Sequence, residues 1–216
     1  MKIGILGASG KSGGFLTREA LRQGYEVTAI VRDGKKIANP QVAILERDIF
    51  AIVREDVAGF AAVIDAFKAP EGREEEHRTS MEHLIQVFEG LPEVRLLVVG
   101  GAGSLYADAS KTTLLMDSPG FPPAFMPTAS NMAAAFEMLK ASRVDWTYLS
   151  PAADYAPEGG RTGTYILGDD VLLRNRAGES YVSYADYAVA MIDELKNKAH
   201  VRKRFTVVSE KKEGGQ

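Results

Sequence analysis

The stretch KIGILGASGKSGG, Lys2 to Gly14, sets Gly7, Gly10 and Gly13 at three-residue intervals, with Ser9, Lys11 and Ser12 between them. Residues of these types bind phosphate well. Small residues let backbone N–H groups converge on an anion, and a helix that follows adds the positive end of its dipole. Two phosphate loops compete for the stretch. A nucleoside-triphosphate P-loop needs four residues between its first glycine and Gly-Lys-Ser. Counting back from Gly10-Lys11-Ser12 puts that glycine at position 5, which is Ile5, and neither Gly4 nor Gly7 supplies the register. Asp65, closing the apolar run AAVID, has the look of a magnesium-holding aspartate, but aspartates end buried strands for other reasons too. A dinucleotide-binding turn fits the spacing better. Gly7 permits the tight turn after a strand, Gly10 lets the backbone approach a pyrophosphate, and Gly13 lets the next helix pack on the sheet. Lys11 and Ser12 then become pyrophosphate ligands.

The second chemical signal lies about twenty residues on, where such a turn is followed by a reader of the adenosine ribose. The segment TAIVRDGKK places Arg32 there. A guanidinium pairs with a 2′-phosphate through its planar fork, whereas a carboxylate would accept from a 2′-hydroxyl. Arg32, with Lys35 and Lys36 nearby, points to NADP. Asp33 is the counter-signal for NAD.

These residues need a sheet to carry them. Strand-like runs at 2–6, 26–31, 42–46, 61–65, 95–99, 146–149 and 204–208 alternate with helical periodicity at 12–23, 74–89 and 130–142. That alternation predicts an α/β fold, a Rossmann-like doubly wound parallel sheet with a small C-terminal elaboration. One NAD(P)-binding domain is expected over 1–209, with a disordered tail at 210–216. Two segments break the rhythm: 100–127, rich in Gly, Pro, Ser and aromatics, and 159–178, where TYIL and VLL around Gly168-Asp169-Asp170 predict a small hairpin. Ser183 with Asp186 three residues on has the form of a capping box. REEEHR, Arg73 to Arg78, reads as the solvated start of a helix, its carboxylates favoured by the dipole.

Composition narrows the function. The 216 residues carry a formal net charge of −3 with no basic segment to lie along nucleic acid, and no cysteine, which excludes disulfides, thiolate metal sites and cysteine nucleophiles. No metal site is expected, because His77 and His83 fall on different faces of a helix and His200 is remote. The absence of a signal-like or membrane-length apolar run predicts no membrane association and a cytoplasmic location.

In order along the chain, GILGASGKSGG, AIVRD, ERDIF, LLVVGGAGSL, DWTYLSPAADY and SYADYAVAMIDEL resemble the atypical short-chain dehydrogenase/reductases. The resemblance is to their NAD(P)H-binding group of proposed NADH-flavin reductases, with biliverdin-IXβ/flavin reductase and the NmrA-like regulators as relatives. It implies a Rossmann-like fold holding NADP, with Asp48 and Ile49 near the adenine and Gly100 to Ser104 along the nicotinamide end, Gly100 and Gly101 as cofactor contacts. In biliverdin-IXβ reductase a serine follows the corresponding strand near the hydride path. The resemblance sets Gly103 at that place with Ser104 next to it, and Ser104 is the catalytic candidate.

One family feature is missing. Most short-chain dehydrogenases use a Tyr-x-x-x-Lys pair as proton donor and helper; Tyr106 is followed at four by Ser110, with Lys111 one step late, and Tyr148 and Tyr155 also lack the lysine. Ketone reduction localises charge on oxygen and gains much from a positioned acid. Hydride delivered to a conjugated ring spreads that charge, and stacking geometry can suffice. A flavin-like or quinone-like acceptor is therefore expected, with Tyr106, Phe125 and Tyr155 as candidate acceptor contacts and Phe121 and Met126 beside them. The NmrA-like resemblance implies an alternative, a non-catalytic NADP-binding redox sensor acting through a protein partner. A sugar-nucleotide epimerase would also want the missing tyrosine.

Overall fold

The computed structural model describes residues 1–212. Eight strands form the main sheet: β1 Lys2–Leu6, β2 Glu26–Val31, β3 Ala43–Glu46, β4 Ala62–Asp65, β5 Arg95–Val99, β6 Trp146–Ser150, β8 Ile166–Gly168 and β10 Lys203–Val208. Their order is β3-β2-β1-β4-β5-β6-β10-β8. Every neighbouring pair is parallel except β10 with the edge strand β8. The doubly wound Rossmann-like sheet is thus present, and it reverses direction between β1 and β4. A two-stranded parallel ribbon, β7 Asp154–Ala156 with β9 Tyr181–Ser183, makes the C-terminal elaboration.

Alternate strand residues serve two cores, as the two-residue period of a strand requires. Ile3, Ile5, Ala29, Ile64 and Leu97 pack on one face beneath helices α1 Lys11–Arg22 and α5 Tyr184–Asn197. Leu6, Ile30, Val63, Leu96 and Val98 face α3 Glu76–Phe88 and α4 Met126–Ala141 on the other. A single turn, α2 Arg54–Val57, precedes β4.

Four details differ from the expected elements. Helix α4 starts at Met126, not near 130, because Pro127 occupies its first turn, where the missing N–H costs nothing and the fixed φ is already helical. Helix α5 escapes a periodicity reading since Ala188, Val189, Ala190, Met191 and Ile192 are all buried, leaving no polar stripe, although the Ser183 cap marks its start. That cap is half a box. Ser183 accepts from Asp186 N, but the Asp186 carboxylate instead accepts from the Thr162 and Gly163 N–H groups.

The hairpin expected around Gly168 does not form. Ile166–Gly168 pairs with β10, while Val171 bridges Tyr106. The Asp169 carboxylate turns the chain by accepting from Val171 N, and Asp170 holds Arg204, so the second arm leaves in another direction. At the chain end, Glu210 accepts from Arg176 N and Lys211 pairs with Glu179; residues 213–216 of the expected tail lie outside the described residues. No helix among the described residues is long and apolar enough to cross a membrane.

Candidate functional site

The turn between β1 and α1 is built by its glycines. Gly7 has φ +70°, and a Cβ there would lie 2.7 Å from the Ala66 carbonyl oxygen, so both backbone sign and space require glycine. A Cβ on Gly13 would sit 2.2 Å from Gly7 O. The helix could not approach the turn with any other residue. At Gly10 the requirement is milder, since a Cβ would meet only Gly7 O at 3.2 Å.

Helix α1 starts at Lys11 with no side-chain cap. The N–H groups of Lys11, Ser12 and Gly13 have no hydrogen-bond acceptor among the described residues, whereas Gly10 N donates to Gly7 O. Three free donors at an uncapped helix start suit a pyrophosphate. The residues present therefore fit a dinucleotide.

Next to this turn, a cleft of about 180 Å³ is lined by Gly7, Ser9, Gly10, Arg32, Asp48 and Ile49, with Arg47, Phe67 and Lys68. The structure brings the turn, Arg32 and the Asp48-Ile49 pair together, at the carboxyl ends of β1, β2 and β3. Arg32 is exposed and has no side-chain hydrogen bond or ion pair among the described residues. The Asp33 carboxylate accepts from Lys35 N, capping the short turn Gly34–Lys36. Asp48 caps another through Phe50 N, leaving Ile49 buried as an apolar wall.

A second pocket, of about 440 Å³, continues along the carboxyl edge past β4, β5 and β6. Gly101, Ala102 and Gly103 form one side; Phe121, Phe125, Ala129, Met132 and Ala153 form much of the rest. The glycine strip is packed from behind. The Tyr148 ring lies where a Gly100 side chain would be, and its hydroxyl accepts from Gly101 N at 3.2 Å. Burial pushes the Tyr148 hydroxyl up to about 12, so it stays protonated.

The structure places the remaining acceptor candidates differently. Phe125 lies in this pocket, largely exposed. Ser104 does not: its side chain is buried against Arg204, whose guanidinium donates to both the Ser104 carbonyl and hydroxyl. Tyr106 shares that neighbouring groove, held by bridges to Leu114 and Val171. A residue that follows β5 leaves the cleft as soon as the chain turns beneath α4. Tyr155 joins the phosphate turn instead, with its hydroxyl 3.1 Å from Ser12 Oγ and its ring stacked on Tyr184 at 3.8 Å. Burial raises the Tyr155 hydroxyl well above its ordinary range, with the Ser12 bond opposing.

Residues not singled out from the sequence also line the site, Arg47 of the ERDIF run among them. Arg47 reaches the cleft beside the glycine turn while pairing with Asp56, and Lys68 borders both that cleft and the apolar pocket. Beneath the pocket floor, Asp65, His77, Ser80 and Tyr148 surround a small cavity. Burial raises the Asp65 carboxyl to about 6, its bond from Phe67 N acting the other way, and burial lowers His77. The only available signal for Lys68 was its position just past a strand's carboxyl end, where open α/β sheets bind ligands.

A family model described as NAD(P)H-binding matches residues 7–198. The chain belongs to that NAD(P)H-binding family. It is 50% identical over 211 residues to the uncharacterized protein YwnB of Bacillus subtilis, covering 97% of this chain and 99% of that one. Among solved structures it is similar to a proposed NADH-flavin reductase of Streptococcus pneumoniae, with 40% identity, TM-score 0.91 and coverage of 97% and 100%. A proposed epimerase of Bacteroides thetaiotaomicron follows at 35% identity and TM-score 0.82, with 99% of each chain covered. The family and the fold make the chain a nicotinamide-cofactor-binding protein with a Rossmann-like sheet.

Proposed function

We propose that this protein is an NADPH-dependent reductase that delivers hydride to a flat, conjugated acceptor of the flavin or quinone class without a Tyr-x-x-x-Lys acid. The observation that carries the reading is the pocket joined to the dinucleotide cleft: its lining contains two phenylalanines and a methionine but no tyrosine, histidine or carboxylate. Such walls suit an aromatic ring, with Ser118, Thr128 and Lys68 as the polar side chains of the lining. NADP over NAD is supported by the unpaired Arg32 and by the engagement of Asp33 with its own turn.

When bound, NADPH supplies the hydride. The chain's part is positional. The free N–H groups of Lys11, Ser12 and Gly13 hold the pyrophosphate, and Arg32 holds the 2′-phosphate. Gly101 and Gly103 present bare backbone on which a ring can lie, with Phe121, Phe125 and Met132 as apolar walls. Holding two rings in one orientation lowers the barrier without a protein acid, and water supplies the proton.

The test is consumption of NADPH, and separately NADH, by the purified protein with flavin mononucleotide, flavin adenine dinucleotide and small quinones. Turnover with at least one of them and a preference for NADPH is the expected result. Tight NADPH binding with no turnover on any acceptor would instead support a cofactor-reporting binding protein.

A further inference from the structure

The apolar pocket contains one charged side chain. Lys68 is the only ionisable side chain in its lining among the described residues, and it also borders the dinucleotide cleft, so it stands where the two spaces meet. It is exposed and makes no side-chain hydrogen bond or ion pair among the described residues. Arg47, in the same cleft, is tied to Asp56, and the nearby carboxylates are otherwise engaged: Asp65 accepts from Phe67 N and Asp48 from Phe50 N. The Lys68 ammonium is thus uncommitted in the protein, on the rim of walls that lower the local dielectric.

We infer that Lys68 is the electrophilic residue of the reaction, whose ammonium stabilises the negative charge that the acceptor gains with the hydride. The inference rests on the reductase reading and deepens it. Hydride transfer moves two electrons and one proton from NADPH, which becomes NADP⁺, to the acceptor, which carries one added negative charge until it takes a second proton from water. With no Tyr-x-x-x-Lys pair and no carboxylic acid in the pocket, that charge must be met by something else. A cation at the edge of apolar walls can meet that charge where it appears. This favours acceptors whose charge settles on an edge oxygen or nitrogen, as in flavins and quinones.

The experiment compares wild type with Lys68→Gln and Lys68→Arg. For the Gln variant, kcat with flavin mononucleotide should fall about ten- to a hundred-fold, while Kd for NADPH changes less than about twofold. The Arg variant should recover part of the rate. An unchanged kcat in the Gln variant would overturn the inference, as would a Kd for NADPH that rises by the same factor as the rate falls, which makes Lys68 a cofactor ligand. A second measurement is independent of turnover. In the NADP⁺ complex, wild type should bind chemically reduced flavin mononucleotide more tightly than oxidised, and Lys68→Gln should lose the difference. If wild type shows no turnover but Lys68→Gln still loses the preference for the reduced ring, the reductase reading fails and Lys68's part in the reaction falls with it, leaving only a charge contact with the reduced flavin. If turnover is present and neither quantity depends on Lys68, the reductase reading stands and the role of Lys68 fails; a protein that binds neither form of the flavin overturns both.

Discussion

At the residue scale, the glycines separate fold from binding. Gly13→Ala would force a methyl to within 2.2 Å of Gly7 O, so the turn or the helix must move. We expect it to cost about 1 to 3 kcal/mol or more of stability, read as a lower midpoint in denaturant. Gly10→Val meets only a 3.2 Å contact and lines the open cleft, so it should leave that midpoint nearly unchanged while NADPH binding weakens at least about tenfold. Equal damage to stability by both changes would mean that Gly10 serves the fold. Arg32→Ala removes a charge-assisted contact worth roughly 1.5 to 3 kcal/mol, which is about a ten- to hundred-fold loss for NADPH and little for NADH. The ratio of the two Kd values cancels general damage; if it does not move, Arg32 is not the phosphate reader. These residues were legible in the sequence because a turn and the strand after it are local. Lys68, Arg47 and the Tyr155–Ser12 contact were not, since each depends on segments far apart in the chain meeting at the sheet edge.

At the element scale, strands with one clear apolar run were legible almost to the residue, while elements set by partners were not. β7 and β9 are three residues each, too short for any pattern, and exist because Asp154–Ala156 finds Tyr181–Ser183 beside it. Strand β4 shows how an element's end can carry a titration. Burial raises the Asp65 carboxyl from 3.8 to about 6, against the bond from Phe67 N. The folded value lies above the unfolded one, so the native state holds this proton more tightly. Its contribution to stability is full below the unfolded value and is lost as pH rises through about 6. His77, in the same cavity, runs the other way: burial and then the Lys68 charge lower it, with Glu74 opposing, so its contribution is lost as pH falls. Asp65→Asn keeps an acceptor for Phe67 N and removes one titration. It should be up to about 3 kcal/mol more stable than wild type at about pH 8, with a difference near zero at about pH 3. Denaturant unfolding at both pH values checks this; a difference that is constant or shrinks towards alkaline pH would contradict it.

At the scale of the molecule, the two edges of the sheet are held differently. Near the amino ends of the strands, the buried Arg95 guanidinium pairs with Glu194 at 2.5 Å and also donates to Thr147, while Glu194 accepts from His200, joining β5, β6, α5 and the turn before β10. The carboxyl edge has no comparable cross-strand ion pair among the described residues; there the cleft residues of β1, β2, β4, β5 and β6 converge around open space. A dinucleotide extended from Arg32 to Gly101 would supply the missing tie. It binds the native state and not the unfolded chain, so at a hundred times its Kd it should stabilise the protein by about 2.7 kcal/mol. For a chain of this size that is a rise in Tm of roughly 5 to 10 °C. NADPH should give the larger shift and NADH a smaller one at equal concentration, and Arg32→Ala should bring the two together. Magnesium ATP should give almost none, because the loop lacks the P-loop register. A melt that responds to magnesium ATP and ignores NADPH would overturn the assignment of the turn, and with it the pocket's role as the place where hydride is received.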